Sequence, residues 1–169
     1  MRCGLPFRPQ WFADASDALS IGEAVQAAGV DFLVVHPRSR EQQYAGVADW
    51  DLLAQLTAEL TIPVVGNGDV RSVDDAAELL RISGADGVMI GRGIQGAPWR
   101  LAEIAHAMGY GPAPRIPEGE AFVAMVTDHY DATLRFYGEE LGARVVRKHL
   151  GWYMDRAGTS PGLRKHLLT

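Results

Sequence analysis

The chain has 169 residues, 47% hydrophobic and 22% charged, with a net charge of −5. That is room for one globular domain, or one and a part. The acidic balance excludes a wholly basic nucleic-acid binder, and no apolar run approaches the ~20 residues of a membrane-spanning helix.

A strand is expected at the very start, before Gly4. Ser20 to Ala28 is apolar at Ile21, Ala24, Val25, Ala27 and Ala28, a helical spacing that Gly29 ends. Asp31-Phe-Leu-Val-Val35 reads as a buried strand, over 31–36, and stops at His36-Pro37-Arg38-Ser39-Arg40. Asp49 caps a helix through Leu60 whose stripe is Trp50, Leu52, Leu53, Leu56 and Leu60. Tyr44 and Trp50 read as packing residues.

A third strand, 62–66, ends in Gly66-Asn67-Gly68-Asp69. Glycine permits close backbone approach there, Asn67 offers a donor and an acceptor, and Asp69 offers an acceptor. Ser72 caps the next helix, to Ser83, with Asp74 and Asp75 favouring its dipole. A fourth strand, 86–90, ends in Gly91-Arg92-Gly93, and a helix is expected from near Pro98. Parallel strands joined by helices bring such tips to one carboxyl edge. Backbone N–H groups and the Arg92 guanidinium suit a phosphate. His36 suits an electron-rich ring or an anion, and Arg38 or Arg40 a second anionic contact.

Gly109 to Pro117 holds two glycines and three prolines and reads as a linker over 110–117. Beyond it the strand signal vanishes. Helices are expected over 118–137, 141–154 and 160–168, Ser160 capping the last with Pro161 at its first position. From Arg135 onward there are seven Lys or Arg against three Asp or Glu; residues 1–134 hold nine against eighteen. Arg144, Arg147, Lys148 and His149 carry this basic tail, a candidate polyanion footprint or a solvated helix face.

Cys3 stands alone, which excludes an internal disulfide, fits a reducing compartment and reads as an inert buried thiol. No cysteine–histidine spacing for zinc is present. The start, Met1-Arg-Cys-Gly4, lacks the apolar core of a signal peptide.

Five motifs in order carry a resemblance: His36-Pro-Arg-Ser-Arg40, Tyr44-Ala-Gly-Val-Ala-Asp-Trp50, Ile62-Pro-Val-Val-Gly-Asn-Gly-Asp69, Gly84-Ala-Asp-Gly-Val-Met-Ile-Gly-Arg-Gly93 and Arg147-Lys-His-Leu-Gly-Trp-Tyr153. Together they resemble the tRNA-dihydrouridine synthases, the bacterial DusB group above all, from about residue 30 to the end. The resemblance implies an α/β fold: the C-terminal half of an FMN-binding (β/α)₈ barrel over 1–109, then a small all-α tRNA-binding domain over 118–169. It implies a cytoplasmic, metal-free flavoenzyme that reduces uridine in tRNA with NADPH. By it, Asn67, Gly68 and Asp69 contact FMN, Gly91 and Arg92 hold its phosphate, and His36 lies close to the flavin. Arg144, Arg147, Lys148 and His149 would meet tRNA. The family's His-Gly-Arg-Thr pattern here has Pro37 and Ser39. Its catalytic cysteine falls outside this chain, so Cys3 does not inherit that role. An inactive fragment that self-associates through open sheet edges is expected. Glycine tips also suit a flavin-free barrel aldolase or isomerase, and a basic tail without a nucleophile suits a non-catalytic RNA-binding remnant.

Overall fold

The computed structural model describes residues 4–7, 15–38 and 46–168. Cys3, Ser39, Arg40 and Tyr44 lie outside the described residues. Two compact units form, Met1–Gly93 and Ile94–Thr169.

In the first unit strands and helices alternate: β1 (Gly4–Phe7), α1 (Ala15–Ala27), β2 (Phe32–Val35), α2 (Trp50–Glu59), β3 (Val64–Asn67), α3 (Val73–Ser83) and β4 (Gly87–Met89). The strands form one parallel sheet in chain order, β1-β2-β3-β4. Each connection is therefore a crossover through one helix, the βα repeat.

One face of this sheet is closed. Leu33, Val35 and Val64 are fully buried, and Val35 lies opposite Gly66 in the ladder. Leu53 and Leu56 of α2 and Leu79 of α3 complete that core, each with no exposure. The helices approach so closely that a Cβ on Gly66 would lie 2.6 Å from Leu53 Cδ2 and 2.7 Å from Leu79 Cδ2. Phe32, Val34 and Val65, which alternate with the core set, are half-buried.

The caps stand where the sequence places them. Asp49 accepts from the Leu52 amide at 2.9 Å and Ser72 from the Asp75 amide at 3.1 Å. Gly84, at φ 64°, ends α3 in the left-handed region. Several boundaries differ from expectation. β1 is Gly4–Phe7, not a strand before Gly4. α1 begins at Ala15 rather than Ser20, with Asp17 in its first turn. β3 begins after Pro63, which has no N–H to give the ladder.

The second unit contains α4 (Arg100–Ala107), α5 (Gly119–Tyr137), α6 (Glu139–Arg156) and α7 (Pro161–Leu168). α5 and α6 are antiparallel partners joined at Gly138, whose φ is 78°. Their backbones meet at Gly142, where a Cβ would sit 2.9 Å from Leu134 Cα. The segment ahead of the Pro/Gly-rich stretch belongs to this unit, so the division falls at Gly93 and Ile94 rather than at residue 110. Trp99 is the reason. Its ring packs edge-on against Phe122 at 6.1 Å, and the Arg156 guanidinium stands 4.8 Å over it.

Candidate functional site

The carboxyl edge of the sheet gathers the residues singled out by sequence. Val35, Gly66 and Val88 share one row of the ladder, and Asn67 lies opposite Met89 in the next. His36 directly follows Val35 and reaches the same row. Its Nδ1 donates to the Asn67 carbonyl at 3.0 Å; a carbonyl can only accept, which fixes the proton on that nitrogen. Asn67 Nδ2 donates to the Met89 carbonyl at 2.7 Å. His36 thus extends the β2–β3 bonding past its last strand pair, and Asn67 reinforces the last pair of β3 and β4.

The turn after β2 suits proline. The Arg38 amide donates to the His36 carbonyl at 2.8 Å, closing a three-residue turn around Pro37. Pro37 is buried, and its carbonyl accepts from the Asp49 amide at 2.8 Å. Neither of these bonds uses an N–H of residue 37, so the turn accommodates proline.

Asp69 is placed differently from the sequence reading. It has a left-handed backbone, φ 58°, unusual for a residue with a Cβ. Arg38 Nη2 donates to its Oδ1 at 3.1 Å and Oδ2 at 2.8 Å, and the Ala48 amide donates to Oδ2 at 2.7 Å. Its carboxylate is thus engaged by protein groups. Burial pushes this carboxyl up. The Ala48 amide, the Arg38 hydrogen bond and the charges of Arg38 and Arg71 outweigh that, and hold it below the usual range. Arg38 is 3% exposed and so is no solvated loop charge. Sequence reasoning missed this pair. The available signal is register: Arg38 and Asp69 each stand three residues beyond the paired Val35 and Gly66.

At the third tip Gly91 and Arg92 are exposed, and a Cβ on Gly91 would meet nothing within 4 Å. Gly93 is the reverse case: its Cβ would lie 2.1 Å from the Val70 carbonyl oxygen. Here the backbone crosses another backbone, which only glycine allows.

In the helical unit Arg144, Arg147 and Lys148 are exposed, and Arg144 pairs with Glu140 one turn earlier. His149 does not join them. It is partly buried, edge-on to His129 at 5.0 Å and to Trp152 at 4.9 Å. Burial, then the neighbouring His129, then Lys148 hold its imidazole below the ordinary histidine value of about 6.5. A histidine depressed in the fold contributes stability that is present above 6.5 and lost as pH falls through the folded value. Thermal midpoints measured from about pH 7.5 to about pH 5.5 are therefore expected to fall more steeply for the wild type than for His149→Gln. Parallel curves would remove His149 as the titrating group.

Among the described residues no group of three or more His, Cys, Asp or Glu could hold a metal ion, and no helix is long and apolar enough to cross a membrane.

The first unit defines an α/β protein whose polar residues collect at the carboxyl ends of parallel strands, where such folds meet their ligands. The dihydrouridine synthase (Dus) family model matches residues 3–167, and the chain belongs to that family. It is 48% identical over 153 residues to a probable tRNA-dihydrouridine synthase of Rhodobacter capsulatus, covering 90% of this chain and 47% of that protein. It is 44% identical over 153 residues to tRNA-dihydrouridine synthase B of Xanthomonas axonopodis pv. citri, covering 88% and 45%. The chain thus spans about half the length of the curated relatives it matches. A solved mandelate oxidase mutant with the C4a-OH-FMN adduct aligns over 62% of this chain at TM-score 0.46 and 20% identity, too slight a likeness to bear on the fold.

Proposed function

We propose that this chain forms the FMN-phosphate side and the RNA-facing helices of a cytoplasmic tRNA-dihydrouridine synthase. In this reading the four βα units are the C-terminal half of a (β/α)₈ barrel, and NADPH is the reductant. The observation that carries it is the rim itself, where the His36–Asn67–Met89 row stands beside an open Gly91 and an exposed Arg92. That donor set fits a planar ring with a phosphate arm: an imidazole and a carboxamide for the ring, a guanidinium and glycine amides for the anion. FMN, when bound, supplies the hydride chemistry that no side chain here can perform.

The chain's own part is binding and orientation. Arg92 holds the phosphate charge. The Asn67 carboxamide is fixed by Met89, and its Oδ1 remains to accept from the ring. His36, oriented through Nδ1 by the Asn67 carbonyl, faces the same edge. Asp69 acts behind these residues through Arg38. Arg144, Arg147 and Lys148 offer phosphate-facing charge to tRNA, recognised by shape and backbone.

The purified chain, mixed with FMN and desalted, is expected to retain yellow flavin absorbance. Arg92→Ala should weaken binding about tenfold, the effect of losing one charge-assisted contact. Colourless protein after desalting would sink the flavin reading.

A further inference from the structure

We propose that the Arg38–Asp69 ion pair is the positioning element of this rim, clamping both ends of the β2–α2 connection to the turn after β3 so that His36, Asn67 and Gly68 hold one arrangement. The flavin role of that arrangement rests on the reading above; the clamp itself does not.

Its parts are all on unit one. Arg38 belongs to the turn after β2, Asp69 to the turn after β3, and residues 46–48 to the segment entering α2. Arg38 Nη2 donates to both Asp69 oxygens and also to the Gly46 carbonyl at 2.6 Å. Asp69 in turn accepts the Ala48 amide. One guanidinium nitrogen and one carboxylate therefore tie the start and the end of the β2–α2 connection to the turn after β3. The side chains are 2% and 13% exposed, so water does not compete freely for either. Arg38 Nε and Nη1 are buried with no partner among the described residues, and Asp69 is the carboxylate paired with this charge among them.

The clamp also bears on the rim directly. Gly68 is wedged against both ends of the β2–α2 connection: a Cβ there would lie 2.8 Å from Ala48 Cβ and 3.1 Å from His36 Nδ1. Trp50 Nε1 donates to the Gly68 carbonyl at 3.3 Å. Asp69 follows immediately, with its backbone in the left-handed region. A Cβ disfavours that conformation, and the carboxylate's three hydrogen bonds from Arg38 and Ala48 hold it. If Asp69 relaxes, Gly68 moves, and with it the surface against which the His36 ring rests. Arg38 and Asp69 are thus positioning residues; neither needs to touch a ligand.

The test uses three variants. Asp69→Asn tolerates the left-handed backbone and keeps an acceptor for Ala48 but removes the charge. Asp69→Gly keeps the backbone freedom and removes the side chain. Arg38→Gln removes the cation. Amide hydrogen exchange is read at Ala48 without any flavin. Arg38 makes no bond to that amide, yet Arg38→Gln is expected to speed its exchange at least tenfold, as is Asp69→Gly. Unchanged Ala48 exchange in Arg38→Gln overturns the clamp. With FMN added, Arg38→Gln and Asp69→Asn should raise the dissociation constant at least tenfold and shift the visible spectrum of what remains bound. A general loss of stability would lower the melting point and leave that spectrum alone, and such a result would overturn the positioning role. Wild-type protein that binds no FMN would remove the flavin reading while the Ala48 result still decides the clamp.

Discussion

Gly93→Ala is expected to destabilise the first unit by about 3 kcal/mol, the upper range for overpacking a site that cannot relax. The cause is steric. The added methyl would stand 2.1 Å from the Val70 carbonyl oxygen and 3.2 Å from Arg71 Cα, and both are main chain. A side chain can rotate away from a clash; a backbone that also carries Val70, itself buried, into α3 cannot. For a unit of this size that cost lowers the melting temperature by roughly 12–24 °C. Thermal unfolding followed by far-ultraviolet circular dichroism measures it. A midpoint within a few degrees of wild type would show that the Val70–Gly93 crossing opens without penalty.

Leu53→Ala should cost a similar amount, about 3–4 kcal/mol, for the opposite reason. Leu53 has no exposure, and its Cδ2 rests over Gly66 at the centre of the helix–sheet seam. Truncation leaves a cavity between α2 and β3 and loses the transfer energy of the removed methyls. The glycine opposite makes a sharper experiment possible. Gly66→Ala alone overpacks, because its methyl would lie 2.6 Å from Leu53 Cδ2 and 2.7 Å from Leu79 Cδ2. With Leu53 cut back, the same methyl enters vacated space, and the remaining close contact is the movable end of Leu79. The double variant is expected to be more stable than the sum of the singles by about 1 kcal/mol or more, measured by urea unfolding. Strict additivity would mean that the two positions do not share a cavity.

The parts of the fold legible in sequence are the local ones. Asp49 and Ser72 cap their helices through amides three residues on, so the whole interaction lies within one short window. The repeat of strand, tip and helix is equally local, and it brings His36, Asn67, Gly68, Gly91 and Arg92 to one edge. Pairings that depend on register were not legible. Arg38 and Asp69 are 31 residues apart and meet only because β2 and β3 align Val35 with Gly66. The unit boundary escaped for the same reason. Glycine and proline between 109 and 117 mark irregular backbone, whereas the boundary is set by Trp99 finding Phe122 and Arg156 far along the chain. His149 was grouped with its basic neighbours by adjacency, yet its rotation about α6 aims it at His129.

Strand order that repeats chain order has a consequence for biosynthesis. Every rim residue lies between His36 and Gly93, and each strand pairs with the one made just before it. The emerging polypeptide can therefore assemble this edge progressively, without waiting for distant partners, while the helices from Arg100 onward are still being translated.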